Sequence, residues 1–196
     1  GFRITSSGSY LKYNYQPDIA VYGKAMGNGF PISAVVGNKL AMKNASDIFL
    51  SSTMWTESVG FVAALATIKK IRKNKLHKTL IENGFLISEI WEELAKKHEI
   101  NIKVSDFYPL VTFKFSYPNI ENKITTLFIQ EMLKHGFLAA TSVYVTASHN
   151  SVILKKYKIA CDDVFNTIKN ALINNIDDYL ETRVRYDSFS RLNKIS

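Results

Sequence analysis

One amine in this chain is placed for covalent chemistry. Lys24 stands between an apolar run, Ile19-Ala20-Val21-Tyr22, and a glycine-rich bend, Gly27-Asn28-Gly29; a second apolar run follows from Ile32 to Val36. That spacing predicts a strand, a tight loop and a strand, with the lysine where the first strand ends. An amine held on a stiff element, among small residues that let other groups approach, suits a lysine that condenses with a carbonyl. Schiff-base formation needs the amine uncharged, a state that burial among apolar neighbours favours. On spacing alone, a solvated hairpin lysine is the competing account. A phosphate loop is excluded, because its glycines precede the Gly-Lys pair and a Ser or Thr follows it, whereas Ala25 follows here. The dinucleotide fingerprint fails too, since Pro31 and Ile32 follow Gly29 where a helix should open.

A second stretch, Ser51-Ser52-Thr53-Met54-Trp55-Thr56-Glu57, gathers hydroxyls ahead of an apolar periodic segment. Hydroxyls before a helix mark its N-terminus, and Glu57 favours the first turn. Helix N-termini attract phosphate through free N–H groups and the dipole. Plain capping is the competing account for Thr53 and Thr56. His149 closes the run Thr146-Ala147-Ser148-His149 and reads as a surface-loop histidine. The four histidines, His77, His98, His135 and His149, show no metal-ligand spacing, so no metal site is expected.

The segment PDIAVYGKAMGNGFPISAVVG resembles the one around the catalytic lysine of class III pyridoxal-phosphate aminotransferases, in particular the glutamate-1-semialdehyde aminomutase-like branch. Pro17, Asp18, Gly23, Lys24, Gly27, Gly29, Pro31 and Ala34 carry the match. The resemblance implies amino-group transfer, either between two molecules or within one as in the aminomutase, with Lys24 holding pyridoxal 5'-phosphate as a Schiff base. It also implies that Thr53 binds the cofactor phosphate from the neighbouring subunit, and hence a homodimer with shared sites. The motif Ser-Thr-x-Trp-Thr-Glu departs from the Gly-Thr-x-x-Gly-Asn-Pro of the true aminomutase and looks like a branch linked to sugar or small-metabolite amination. Phe2 and Arg3 match a stretch that, in the family, follows the Asp holding the cofactor's ring nitrogen. Arg3 itself reads as a surface ion-pair partner. Family members run to about twice this length, so the chain is expected to be the C-terminal half of such an enzyme; the rival reading is an inactive fragment or a subunit that needs its missing N-terminal half.

The implied fold is α/β: residues 1–75 as the C-terminal part of a fold-type I large domain, and residues 76–196 as a small α+β domain entered through a bridging helix. The periodicity fills in the elements that must position the candidate residues. Asn38–Asn44 reads as a short helix. Glu57–Arg72 reads as a helix with Val59, Val62, Ala63, Ala66 and Ile68 inward and Gly60 and Ala64 permitting close packing. Leu76–His98 reads as a long helix built on Leu80, Ile87, Trp91 and Leu94, with Gly84 a mild blemish and Trp91 in the core. Ile100, Ile102 and Val104, then Val111, Phe113, Phe115 and Tyr117, alternate as two half-buried strands. Asn119–His135 is a helix with Ile124, Leu127, Phe128 and Met132 inward, ended by Gly136. Phe137–Ala140 and Val143–Val145 read as short strands. A last helix starts at Asp162 and Asp163 and carries Val164, Phe165, Ile168, Leu172 and Tyr179. Helices are expected on one face of one sheet. The tail from Glu181 reads as solvated.

At 196 residues and 46% hydrophobic, the chain can bury a sizeable core. It has no apolar run long enough to cross a membrane. Its single cysteine, Cys161, excludes an internal disulfide and fits a reducing compartment, here the cytoplasm. The net charge of +8 raises a nucleic-acid module as a rival. The lysines are scattered, however, and the Lys69–Lys73 cluster reads as the solvated end of a helix, so no nucleic-acid partner is expected.

Overall fold

The computed structural model describes residues 3–5 and 7–186. Phe2, Ser6 and the last ten residues of the tail, on which some of the expectations fall, lie outside the described residues. The chain divides into two compact units, residues 1–80 and 81–196, and the division falls inside one long helix.

In the first unit, β1 (Ile19–Tyr22) and β2 (Ala34–Gly37) pair antiparallel, with Ile19 opposite Gly37 and Tyr22 opposite Ala34. The expected strand–loop–strand is present, and the loop opens with a 3-10 turn at Lys24–Met26. Asn38–Asn44 is a run of turns, not a helix. The Asn38 side chain accepts from the Ala41 N–H at 2.8 Å and donates to Asp18 Oδ1, so local side-chain bonds replace the helical ladder. Helix α1 spans Ser58–Asn74 rather than Glu57–Arg72, because Glu57 is its N-cap and accepts from the Val59 N–H at 3.1 Å. Its buried residues are Gly60, seated against Pro31 and Ile32, and Ala64. Val59 and Val62, expected inward, are exposed, Val62 by 68%. The face that packs thus lies about one residue out of phase with the apolar stripe of the sequence.

Helix α2 (Leu76–His98) has the span its periodicity predicts, and in the second unit its face buries Ile87, Trp91 and Leu94. Gly84 is not a blemish. A Cβ there would sit 1.9 Å from the Tyr108 carbonyl oxygen, so the loop backbone crosses the helix where only glycine admits it. Strands β3 (Ile102–Val104), β4 (Leu110–Phe115) and β5 (Ser142–Tyr144) form an antiparallel sheet in that order, with Val104 opposite Phe113 and Val111 opposite Val143. Val111, Phe113 and Phe115 share one face of β4 and are buried, whereas Lys114 on the other face is exposed. That buried face meets all three helices. Phe113 stacks on Trp91 of α2 with ring centroids 4.6 Å apart, on Phe128 of α3 (Glu121–Lys134) at 5.3 Å and on Phe165 of α4 (Ser151–Ile173) at 6.3 Å. Each such side chain removed from water contributes roughly 1.5–3 kcal/mol. Ile124, Leu127, Phe128 and Met132 of α3 all point inward, as expected.

Two further expectations fail here. Phe137–Ala140 is not a strand. The last helix starts at Ser151, capped by Asn150, whose side chain accepts from the Val152 and Ile153 N–H groups at 3.1 Å each. Asp162 is therefore mid-helix, where it binds Lys97 and His98 of α2, each at 2.6 Å. Flanking pairs, Lys158–Glu93 and Lys169–Glu99, run along the same seam. Tyr179 lies beyond α4 in a 3-10 turn (Ile176–Tyr179). The tail's side chains from Glu181 to Arg185 are mostly exposed, but its backbone is tied to α3: the Glu181 N–H donates to Gln130 Oε1 and the Arg185 N–H to Thr126 Oγ1.

Candidate active site

Lys24 follows β1 by one residue, Gly23, and opens the 3-10 turn. Its φ is +48°, left-handed backbone that costs a side-chain-bearing residue energy and that turns the chain sharply. The bend behind it is tight. A Cβ on Gly27 would lie 2.1 Å from the Phe30 carbonyl oxygen, so only a glycine lets the loop fold under the lysine. Met26 is the buried anchor of the turn. Asp18 holds the far end of the hairpin, its carbonyl accepting from the Asn38 N–H at 2.9 Å.

Beside this turn, Tyr22 bonds to Tyr10 from the preceding 3-10 turn (Ser9–Tyr13). That bond, more than burial, lifts the Tyr22 hydroxyl above the ordinary tyrosine pKa. The expectation that Lys24 is buried is not met by this chain's own residues: Lys24 is exposed. Among the described residues its ammonium has no hydrogen-bond or ion-pair partner, so the amine is not committed to a structural role.

Thr53 does not cap α1. It lies in a turn four to five residues ahead of the helix, in which the Trp55 N–H donates to the Ser52 carbonyl. Glu57 already fills the helix N-terminus, so an anion could not take that position without displacing a carboxylate. Thr53 instead lines an open cleft of about 680 Å³ with Ser52, Ser33, Glu57, Trp55 and Phe61, walled by Pro31 and Ile32. Three hydroxyls can donate to an anion there. Lys24 is not among the residues lining this cleft. Sequence reasoning missed Ser33 and the Tyr10–Tyr22 pair. Ser33 stands beside the flagged Pro31, but only the antiparallel return of β2 and the packing of α1 bring it opposite Thr53.

Other candidates resolve into structure. Trp91 is fully buried and donates to the Tyr157 hydroxyl at 2.9 Å. Burial pushes the Cys161 thiol up to about 12, which leaves it unreactive. Among the described residues no group of three or more His, Cys, Asp or Glu could hold a metal, and no helix is long and apolar enough to cross a membrane.

Comparison with known proteins bears on what the exposed lysine belongs to. The model of the family Aminotransferase class-III matches residues 5–172. The chain is 27% identical over 172 residues to the 3-aminobutyryl-CoA aminotransferase of Cloacimonas acidaminovorans, covering 86% of this chain and 40% of that protein. It is 31% identical over 189 residues to the glutamate-1-semialdehyde 2,1-aminomutase of Nitrosopumilus maritimus, covering 87% and 44%. The FumI protein of Sphingopyxis sp. MTA144, solved in its PLP internal aldimine form, superposes with a TM-score of 0.81 at 25% identity, over 89% of this chain and 42% of that one. The chain thus spans about two-fifths of the length of the relatives it matches. A lysine at the end of a strand, a glycine-tight bend behind it and a match running from the first turns to the end of α4 agree on one assignment: the chain belongs to the class-III aminotransferase family.

Proposed function

We propose that this chain is the lysine-bearing part of a pyridoxal-phosphate-dependent enzyme of amino-group transfer, a transaminase or an aminomutase. The observation that carries the reading is Lys24: an unpaired amine on left-handed backbone at a strand end, inside a family match that covers residues 5–172. Pyridoxal phosphate, when bound, supplies an electron sink for the electrons left at the substrate carbon. The chain's own residues do the rest. Lys24 Nζ would hold the cofactor through its aldehyde and, as a free amine, would be the base and acid that moves the substrate proton. Thr53, with Ser52 and Ser33, donates hydroxyl hydrogen bonds to the phosphate. Absence of Lys24 from the Thr53 cleft supports a homodimer in which each copy supplies one of them to a shared site. A free, buried Cys161 supports a reducing compartment, which we take to be the cytoplasm.

The test is reductive trapping. Pyridoxal phosphate is added, the product is fixed with borohydride, and the labelled peptides are mapped. Label concentrated on Lys24 and lost in Lys24→Ala is the expected result. Label spread evenly over exposed lysines would overturn the reading. Thr53→Ala should weaken cofactor retention by about tenfold, as for a lost charge-assisted hydrogen bond. Unchanged retention would remove Thr53 from the site.

A second reading has its own observation. The first unit leaves Val21 71% exposed and Phe49 93% exposed, which favours a chain that works only when further polypeptide covers these faces. Trapping that fails with this chain but succeeds after a covering polypeptide is added would select it.

A further inference from the structure

A cavity of about 320 Å³ lies wholly within the second unit, and nothing in the amino-group chemistry uses it. Its floor is apolar and buried: Ile87 of α2, Leu154 of α4 and the ring of Tyr157. The Tyr157 hydroxyl is committed elsewhere, accepting from Trp91 Nε1 at 2.9 Å and meeting Cys161. Phe137 packs edge-on against the Tyr157 ring at 5.4 Å and closes one wall. No Asp, Glu, Lys or Arg lines the cavity. Its volume falls at the small end of ligand sites, room for about one ring.

Besides Tyr157, three lining residues carry polar side chains, Ser142, Tyr144 and His149, and of these the imidazole is held in a fixed state. His149 Nδ1 accepts from the Thr146 N–H at 3.3 Å, which puts the ring proton on Nε2. Burial alone pulls the imidazole below its ordinary pKa, which favours the neutral ring. Among the described residues Nε2 has no hydrogen-bond partner. The loop that carries the ring is pinned at both ends. Asn83 of α2 donates to the Thr146 carbonyl at 3.4 Å, and the next residue, Asn150, caps α4. A mostly apolar pocket, open at the Leu138 and Tyr144 rim and without charged side chains, with one preorganised N–H donor beside the hydroxyls of Ser142 and Tyr144, is an arrangement that recognises an uncharged molecule bearing an acceptor oxygen.

We infer that this cavity binds a small, uncharged, single-ring or similarly sized molecule, its body on Ile87, Leu154 and Tyr157 and its carbonyl-type oxygen accepting from His149 Nε2–H. Benzamide is the probe. It is titrated against the 196-residue chain while the backbone amide signals of Val143 and Leu154 on the lining are followed by NMR, and it should bind saturably. Benzoate and benzylamine should bind at least about tenfold more weakly, since nothing in the cavity compensates a desolvated charge. His149→Phe keeps the ring and removes the donor, and should weaken benzamide by about tenfold. Ala139→Trp, on the half-buried wall away from the core, should abolish binding. No saturable shift, equal binding of benzoate, or an affinity indifferent to His149→Phe overturns the site. The titration needs no pyridoxal phosphate, so its outcome is independent of the assignment of Lys24.

Discussion

The two units of this chain use similar residues to different ends. The second closes a core on itself: Trp91, Val111, Phe115, Ile124, Phe128 and Phe165 are all at or below 1% exposure. The first buries little beyond Met26, Gly60 and Ala64 and leaves Val21, Leu40, Phe49, Phe61 and Val62 more than half exposed. Both have a hairpin or sheet and a long amphipathic helix. The difference is what covers them. In the second unit three helices lie on one face of a three-stranded sheet. In the first, α1 meets the loop that joins the two strands, with the small residue Gly60 against Pro31 and Ile32. A two-stranded hairpin is marginal without further packing. The candidate lysine and the candidate phosphate hydroxyls both belong to the sparsely packed unit, where groups remain available to a ligand or to another chain.

Substitutions can break or sharpen this contrast. The largest effect is expected from Phe113→Ala, which removes the ring shared by α2, α3 and α4. It should cost about 3–5 kcal/mol in denaturant unfolding followed by tryptophan fluorescence. Phe61→Ala in the first unit should cost less than about 0.5 kcal/mol in the same assay. Equal costs would mean that Phe61 is covered in solution and that the contrast is false. Next comes Gly84→Ala, which drives a methyl into the Tyr108 carbonyl and should cost about 1–3 kcal/mol. A neutral result would show that the 105–109 loop can move away.

The smallest effect within the second unit belongs to the α2–α4 seam. Lys97, more than His98, holds the Asp162 carboxyl below the usual carboxylate range. A depressed pKa contributes stability that is present above the ordinary carboxylate value and lost as pH falls through the folded value. Lys97 and Asp162 are partly exposed, so Asp162→Asn should cost no more than about 1 kcal/mol at pH 7. The gap between variant and parent should close in acid. A gap that widened as pH fell would reject the ion pair as its source.

Sequence pattern exposed the second unit better than the first, for a physical reason. Leu76–His98 was legible to its ends because a buried face repeats every three or four residues. The α3 face and the alternation of Val111, Phe113 and Phe115 were legible on the same ground. The start of α4 was missed because Asp162 and Asp163 imitate a first turn. Their role is tertiary, answering cations on α2, while the true signal, Asn150 ahead of Ser151, stands twelve residues before Asp162. On α1 the close packing at Gly60 and Ala64 was legible, whereas the exposure of Val59 and Val62 was not, because a packing surface made of the smallest residues carries little hydrophobic signal. At the site, Lys24 and Thr53 could be singled out by type and context. That Thr53 sits in a turn behind a carboxylate-capped helix could not, since Glu57 serves equally as a first-turn residue or as the cap itself.

The left-handed backbone at position 24 has a further implication. A glycine there would relieve roughly 1–2 kcal/mol of local strain that a β-carbon imposes. Directed evolution for heat resistance, run with no demand for turnover, should therefore drift toward Lys24→Gly and discard the amine. Under the proposed role of Lys24, the amine is held at a backbone position that a glycine would occupy with less strain, a trade of thermal endurance for reactivity that Lys75, at a helix C-cap with the same left-handed backbone, does not make.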